Sequence, residues 1–162
     1  MAIAFVAYRL LVAPRSLAAS AAIPEPHVSY ATLDAKPFVL TAHRGRVVFL
    51  EFWATWCEPC KAQMPLVESF ARHHPEVDVE LVDVGEPRIA VEAYVRPRAI
   101  ANVAIDPLAL SRGFFQIEGF PTMVLIDRGG RIRATWTGFN PAVALNMAAA
   151  VQSLREARRS SV

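Results

Sequence analysis

Cys57 and Cys60 are the two cysteines of the chain, separated by Glu58-Pro59 and set between an apolar run, Val47-Val48-Phe49-Leu50, and a helical pattern. Thiols at this spacing lie close enough to close a small disulfide ring. Between a strand and a helix, such a ring exchanges electrons rather than bracing a fold. Cys57 falls at the helix N-terminus, where unpaired backbone N–H groups favour the thiolate, the reactive form. Cys60, one turn further on, is shielded by the helix and suits a resolving thiol. Cys57 would attack a partner disulfide, and Cys60 would then release the mixed disulfide. Pro59 fits the first helical turn, where its missing N–H costs nothing. Glu58 adds a negative charge whose effect on the thiol depends on where its side chain points.

Two other uses of a cysteine pair fit less well. A structural disulfide normally closes a longer loop, because a four-residue loop gains little from chain entropy. A zinc site needs two further ligands, with His43, His73 and His74 as candidates. The chain has no second CxxC and no H-x₃₋₅-H, and His73-His74 ends a helix in polar surroundings.

The elements that must hold the pair follow from periodicity. Arg46 to Trp53 is apolar on both faces and reads as a central strand. A helix from Cys57 to about His74 follows, with Met64, Leu66, Val67 and Phe70 at helical spacing and Pro65 expected to kink it. Val77–Val84 alternates as a strand, Gly85-Glu86-Pro87 breaks it, and a helix from about Arg88 to Val95 stops near Pro97. Asn102 to Ile105 reads as a short strand, and Asp106-Pro107 as the N-cap and first turn of a helix over Leu108 to Phe114. Met123 to Asp127 and Arg131 to Thr137 form a hairpin across Arg128-Gly129-Gly130. Asn140-Pro141 caps a last helix to about Arg159, whose Arg155, Arg158 and Arg159 suit the negative end of its dipole. Short strands are also expected at Val28–Leu33 and Pro37–Leu40.

The whole chain sets bounds on this chemistry. At 162 residues, with 54% hydrophobic and 20% charged residues, one packed domain is expected. Residues 1–22 (MAIAFVAYRLLVAPRSLAASAA) read as a secretory signal with cleavage near Ala21 or Ala22, or as a short membrane anchor; residues 23–162 form the domain. Arg9 interrupts the apolar run, which is shorter than the ~18 residues of a spanning helix. Without this segment, basic and acidic residues are equal in number, so nucleic-acid binding has no electrostatic support.

Phe52-Trp53-Ala54-Thr55-Trp56-Cys57-Glu58-Pro59-Cys60-Lys61, Pro65 and Gly119-Phe120-Pro121-Thr122 together resemble the thioredoxin superfamily, and within it the exported TlpA/ResA-like thiol-disulfide oxidoreductases. The resemblance runs from about Arg46 to Phe139. It implies an α/β thioredoxin fold: a central mixed β-sheet flanked by helices, with a helix and strand inserted between Glu86 and Ile105 and a short N-terminal extension. It also implies a cis Pro121 against the disulfide, leaving the Phe120 backbone free to pair with an extended substrate segment, with Thr122 in the same substrate loop. Trp56, Glu58 and Pro59 form the rim of the site. Glu51 stands at the place of thioredoxin's buried aspartate, which assists proton transfer to the resolving cysteine, where TlpA/ResA-like proteins usually carry an uncharged residue. Either it is a buried proton shuttle, or alternation turns it to a solvated edge. Glu86 resembles an acid that ResA-like proteins keep near their cysteines; the alternative is a solvated helix cap.

The resemblance therefore implies a thiol-disulfide oxidoreductase, reducing disulfides of exported proteins in the periplasm or outside the cytoplasm, with apocytochrome c thiols as one target class. No cofactor beyond the Cys57–Cys60 disulfide and no metal is expected. The expected partners are protein dithiols or disulfides and a membrane-bound electron donor, with the chain itself a monomer. The competing function is a thioredoxin-fold metallochaperone or binding module whose cysteines hold copper. The redox direction is open at this level, because one fold spans ~150 mV.

Overall fold

The computed structural model describes residues 28–34 and 36–159, so the expected signal or anchor lies outside the described residues. Seven strands form one mixed sheet: β1 (Ser29–Thr32), β2 (Phe38–Val39), β3 (Val47–Trp53), β4 (Val77–Val84), β5 (Val103–Asp106), β6 (Thr122–Ile126) and β7 (Ile132–Thr137). Their order is β2-β1-β5-β4-β3-β6-β7. β3, β4 and β5 run parallel, while β1, β2, β6 and β7 pair antiparallel to their neighbours. The helices are α1 (Glu58–His73), α2 (Arg88–Val95), α3 (Leu110–Phe114) and α4 (Val143–Arg159). This is the expected α/β sheet with helices. α2 and β5 form the inserted helix and strand, and β1–β2 extend the sheet beyond β5.

β3 is buried along its whole length because strands flank it on both sides and apolar layers cover both faces. Phe49 and Trp53 enter the layer under α1, α2 and α4 with Met64, Val67, Val91 and Met147. Val48, Leu50 and Phe52 enter the opposite layer with Tyr30, Phe38 and Phe115. Aromatic pairs join strand to cover, Phe49 to Phe70 at 5.8 Å and Phe52 to Phe115 at 4.9 Å. Such pairs contribute about 1 kcal/mol each beyond the area they bury. α1 buries Cys60, Gln63, Met64, Val67 and Phe70. That i, i+3, i+4, i+7 stripe is what an amphipathic helix lays on a sheet, and Gln63 is the polar residue within it.

The alternation of β4 holds only as far as Leu81. Val82 then continues the apolar run, so Asp83 falls on the same face as Val77, Val79 and Leu81 and is fully buried. The α3 helix also departs from expectation. It starts at Leu110, not Leu108, and Asp106 is the last residue of β5 rather than its N-cap. The cap is delivered from a distance: the Asp106 carboxylate accepts from the backbone N–H groups of Leu110 (3.1 Å) and Ser111 (2.7 Å). Parallel pairing with β4 fixes Asp106 in the sheet, and this lets one carboxylate tie strand to helix. Asp106→Ala is expected to cost about 1–2 kcal/mol and to lower Tm by roughly 5 °C in a thermal melt. An unchanged Tm would show that the cap carries no stability.

Candidate active site

Cys57 is the N-cap of α1, held by its own N–H to Ala54 O at 3.0 Å. It forms a disulfide with Cys60, Cα to Cα 5.3 Å. Cys57 is 4% exposed and Cys60 is completely buried. The N–H of Cys60 donates to Cys57 Sγ at 3.2 Å. A donor so placed, at the positive end of a 16-residue helix, favours the thiolate once the pair is reduced. Pro59 lies in the first turn of α1 as expected, exposed beside Glu58. The Glu58 carboxylate points to solvent and meets Lys61 Nζ at 2.5 Å, which balances its charge.

Glu51 is buried rather than turned to an edge. It lies on the α1 side of β3, between Phe49 and Trp53, with no exposed surface. Gln63 Nε2 donates to its Oε1 at 3.2 Å, and Oε2 has no partner. The Asn140 N–H donates to Gln63 Oε1 at 2.9 Å, which fixes the amide so that its NH₂ faces Glu51. Burial pushes the Glu51 carboxyl up to about 8, the Gln63 hydrogen bond opposing only in part. Gln63 sits three residues after Cys60, on the same buried stripe of α1. Nothing in the sequence singled Gln63 out, because an uncharged amide gives no cue without its partner.

Glu86 is not a solvated cap. Gly85, at φ +91°, turns the chain sharply out of β4. Glu86 then accepts from the Thr55 N–H (2.6 Å) and the Thr55 hydroxyl (2.7 Å), two residues before Cys57. Burial works to raise the Glu86 pKa, but Asp83 beside it and the hydrogen bonds from Thr55 outweigh it and hold the carboxyl below its ordinary range. Asp83 is the other member of this acid pair. Burial first, then Glu86 beside it, pushes Asp83 up to about 8. Asp83 was missed in the sequence because strand alternation assigns it no special place.

The Phe120–Pro121 peptide is cis. The Phe120 ring lies 5.9 Å from the Trp56 ring, which brings this loop to the residue before Cys57. Trp56 is 64% exposed and forms rim, while Trp53 is wholly buried. Among the described residues the N–H and C=O of Phe120 make no hydrogen bond. Thr122 faces the interior with its side chain. It opens β6, is buried, and its hydroxyl donates to Gly119 O at 2.7 Å, so its side chain braces the loop from inside. Of the histidines, His43 pairs with Asp78 at 2.8 Å. His73 and His74 close the far end of α1, roughly 20 Å along the axis from Cys60.

The sheet order and the closed CxxC pair at a helix N-terminus define a thioredoxin-fold oxidoreductase site. The Redoxin family profile matches residues 18–151, and the chain belongs to that family. Among relatives, it is 32% identical over 116 residues to the thiol-disulfide oxidoreductase ResA of Geobacillus thermodenitrificans, covering 70% of this chain and 67% of that one. It is 32% identical over 108 residues to ResA of Bacillus subtilis, covering 65% of this chain and 60% of that one. The chain thus spans about two thirds of these relatives' own length, or somewhat less. Solved structures share the fold: StoA from Bacillus subtilis at TM-score 0.67 and 24% identity, covering 78% of this chain and 97% of that one, and the exposed lipoprotein thioredoxin Etrx1 of Streptococcus pneumoniae at TM-score 0.70 and 24% identity, covering 81% and 99%. The chain is a thiol-disulfide oxidoreductase of the TlpA/ResA-like kind within the thioredoxin superfamily.

Proposed function

We propose that the protein works as a reductant of disulfides in exported proteins, with Cys57 as attacking thiol and Cys60 as resolving thiol. The observation that carries the reading is Cys57 at the N-terminus of α1, with the Cys60 N–H on its sulfur and the unpaired backbone of Phe120 beside Trp56.

In the reduced state the Cys57 thiolate attacks one sulfur of a substrate disulfide. The substrate S–S bond breaks, and the departing sulfur leaves with the electron pair and takes up a proton. Cys60 gives its proton to the Glu51 carboxylate and attacks Cys57 Sγ. The second substrate sulfur leaves as a thiolate and is protonated, and the Cys57–Cys60 disulfide closes. Two electrons have then passed to the substrate, with one proton from Cys60, which Glu51 hands on to the second departing sulfur, and one from solvent, and a membrane-bound dithiol donor restores the reduced pair. Glu51 is fitted to this role because its pKa of about 8 lies close to that of an ordinary thiol, so the proton moves with little cost either way. Glu86 holds the Thr55 turn that feeds Cys57 into the helix. An extended substrate segment pairs with the Phe120 backbone, held by Pro121, between the rim residues Trp56, Glu58 and Pro59. No metal or organic cofactor enters these steps.

Export rests on the N-terminal segment, and apocytochrome c thiols are the proposed target class through the likeness to ResA. No helix among the described residues is long and apolar enough to cross a membrane. The proposed working unit is a monomer. The reduction potential of the Cys57–Cys60 pair, measured by equilibration with glutathione, tests the direction. A value near about −270 mV supports a reductant, and one near about −120 mV would make the protein an oxidant instead.

A further inference from the structure

The rim of the site carries a cation that the redox steps do not use. Arg112, in the middle of α3, is exposed and stacks its guanidinium carbon 4.7 Å from the centre of the Phe120 ring. Phe120 in turn meets Trp56, and Trp56 adjoins Cys57. A guanidinium, a phenyl ring and an indole therefore form one row ending at the residue before Cys57. No carboxylate among the described residues makes an ion pair with Arg112. Glu58 is balanced by Lys61, Glu86 is turned to Thr55, and Glu118, exposed in the loop after α3, does not reach it.

A guanidinium lying on an aromatic face is held in one orientation and shielded from water on one side, while its N–H edges remain free. Those edges match a carboxylate in the two-pronged geometry that arginine favours. An extended segment pairing with the open Phe120 backbone presents alternate side chains to this row. One of them would meet Arg112, while the others on the same face would lie along Phe120 and Trp56.

We propose that Arg112 is a specificity-determining residue, selecting protein segments that carry an acidic side chain on the same face as the reacting cysteine, two residues from it. The inference rests on the reading that the site reduces protein disulfides, and names the substrate class it prefers. Arg112 acts on substrate capture, before any bond changes, so the electron and proton balance is the one given above.

The test uses two disulfide-linked fluorogenic peptides that differ only in Glu or Lys two residues from the cysteine, on the same face of the extended segment. The reduced full chain and its Arg112→Ala, Arg112→Glu and Arg112→Lys variants are compared by kcat/KM for each peptide. The parent is expected to prefer the Glu peptide about fivefold, as one exposed charge contact allows, and to lose most of that preference at high salt. The ratio should fall to near one in Arg112→Ala, invert in Arg112→Glu and persist in weakened form in Arg112→Lys. Each ratio compares two substrates on one preparation, so partial misfolding cancels. A parent that reduces both peptides equally, or a preference retained in Arg112→Ala, overturns the proposal while leaving the reductase reading intact. A parent inactive on both peptides and on insulin overturns both.

Discussion

Cys57→Ser is expected to abolish disulfide reduction, lowering insulin turnover by roughly 10³-fold or more, the scale of losing a covalent nucleophile. Cys60→Ser should behave differently. Its Cys57 still attacks, but nothing resolves the adduct, so a mixed disulfide accumulates. Intact-mass spectrometry should then show the protein plus one substrate chain, released by dithiothreitol. The asymmetry follows from position. Cys57 caps α1, receives the Cys60 N–H and keeps a small exposed surface, whereas Cys60 is sealed within the helix stripe. Insulin reduction at the parental rate in both variants would overturn the redox assignment. Adduct formation in Cys57→Ser instead of Cys60→Ser would reverse the two roles.

The second large effect is expected at Glu51. In single-turnover kinetics, Glu51→Gln should slow release of the mixed disulfide by about 10²-fold near pH 7, the usual contribution of a positioned proton acceptor. It should also remove the inflection near pH 8 from that step. Stability gives an independent readout with a definite sign. The Glu51 pKa rises from 4.5 in the unfolded chain to about 8 in the fold. The stability this group supports is therefore fully present below pH 4.5, declines as pH rises, and is lost above about pH 8. The slope is at most about 1.4 kcal/mol per pH unit. Asp83 loses stability over a similar window, from 3.8 to about 8, so both acids contribute to the parental decline. Glu51→Gln keeps a partner for Gln63 and carries no proton to lose. Denaturant melts should show the variant gaining on the parent between pH 5 and pH 8. A parallel decline in the two proteins would mean that Glu51 is not the buried acid described, and an unchanged release step would remove it from the proton path.

Some of the site was legible before any coordinates. The CxxC pair reads from spacing alone, because a strand running into a helix leaves only one place for Cys57. Pro121 and Phe120 read from the resemblance, and β3, β4, α1 and α2 fall within a residue or so of their expected bounds. These features are local: apolar period, proline and cap residue decide them within one turn or strand. Less legible were the polar residues of the interior. Glu51 allowed two readings, and Gln63 and Asp83 none, since each takes its meaning from a partner on another element. Thr122 reads as a substrate-loop residue by adjacency to Pro121, but strand alternation turns its hydroxyl inward. Asp106 reads as a cap one position away from the helix it was expected to open. In the structure it reaches that helix from the end of a strand.

The sequence by itself determined the chemistry of this protein, a dithiol at a helix N-terminus, because nucleophile, resolving thiol and helix start lie within four consecutive residues. Only the tertiary structure decided which acids tune it. Packing α1 onto β3 seals Glu51 against Gln63, and the turn at Gly85 carries Glu86 to Thr55. Desolvation and hydrogen bonding then set the two carboxyls to opposite sides of their ordinary range. A proton's position depends on what surrounds the group in three dimensions, and residues distant in the chain supply those surroundings.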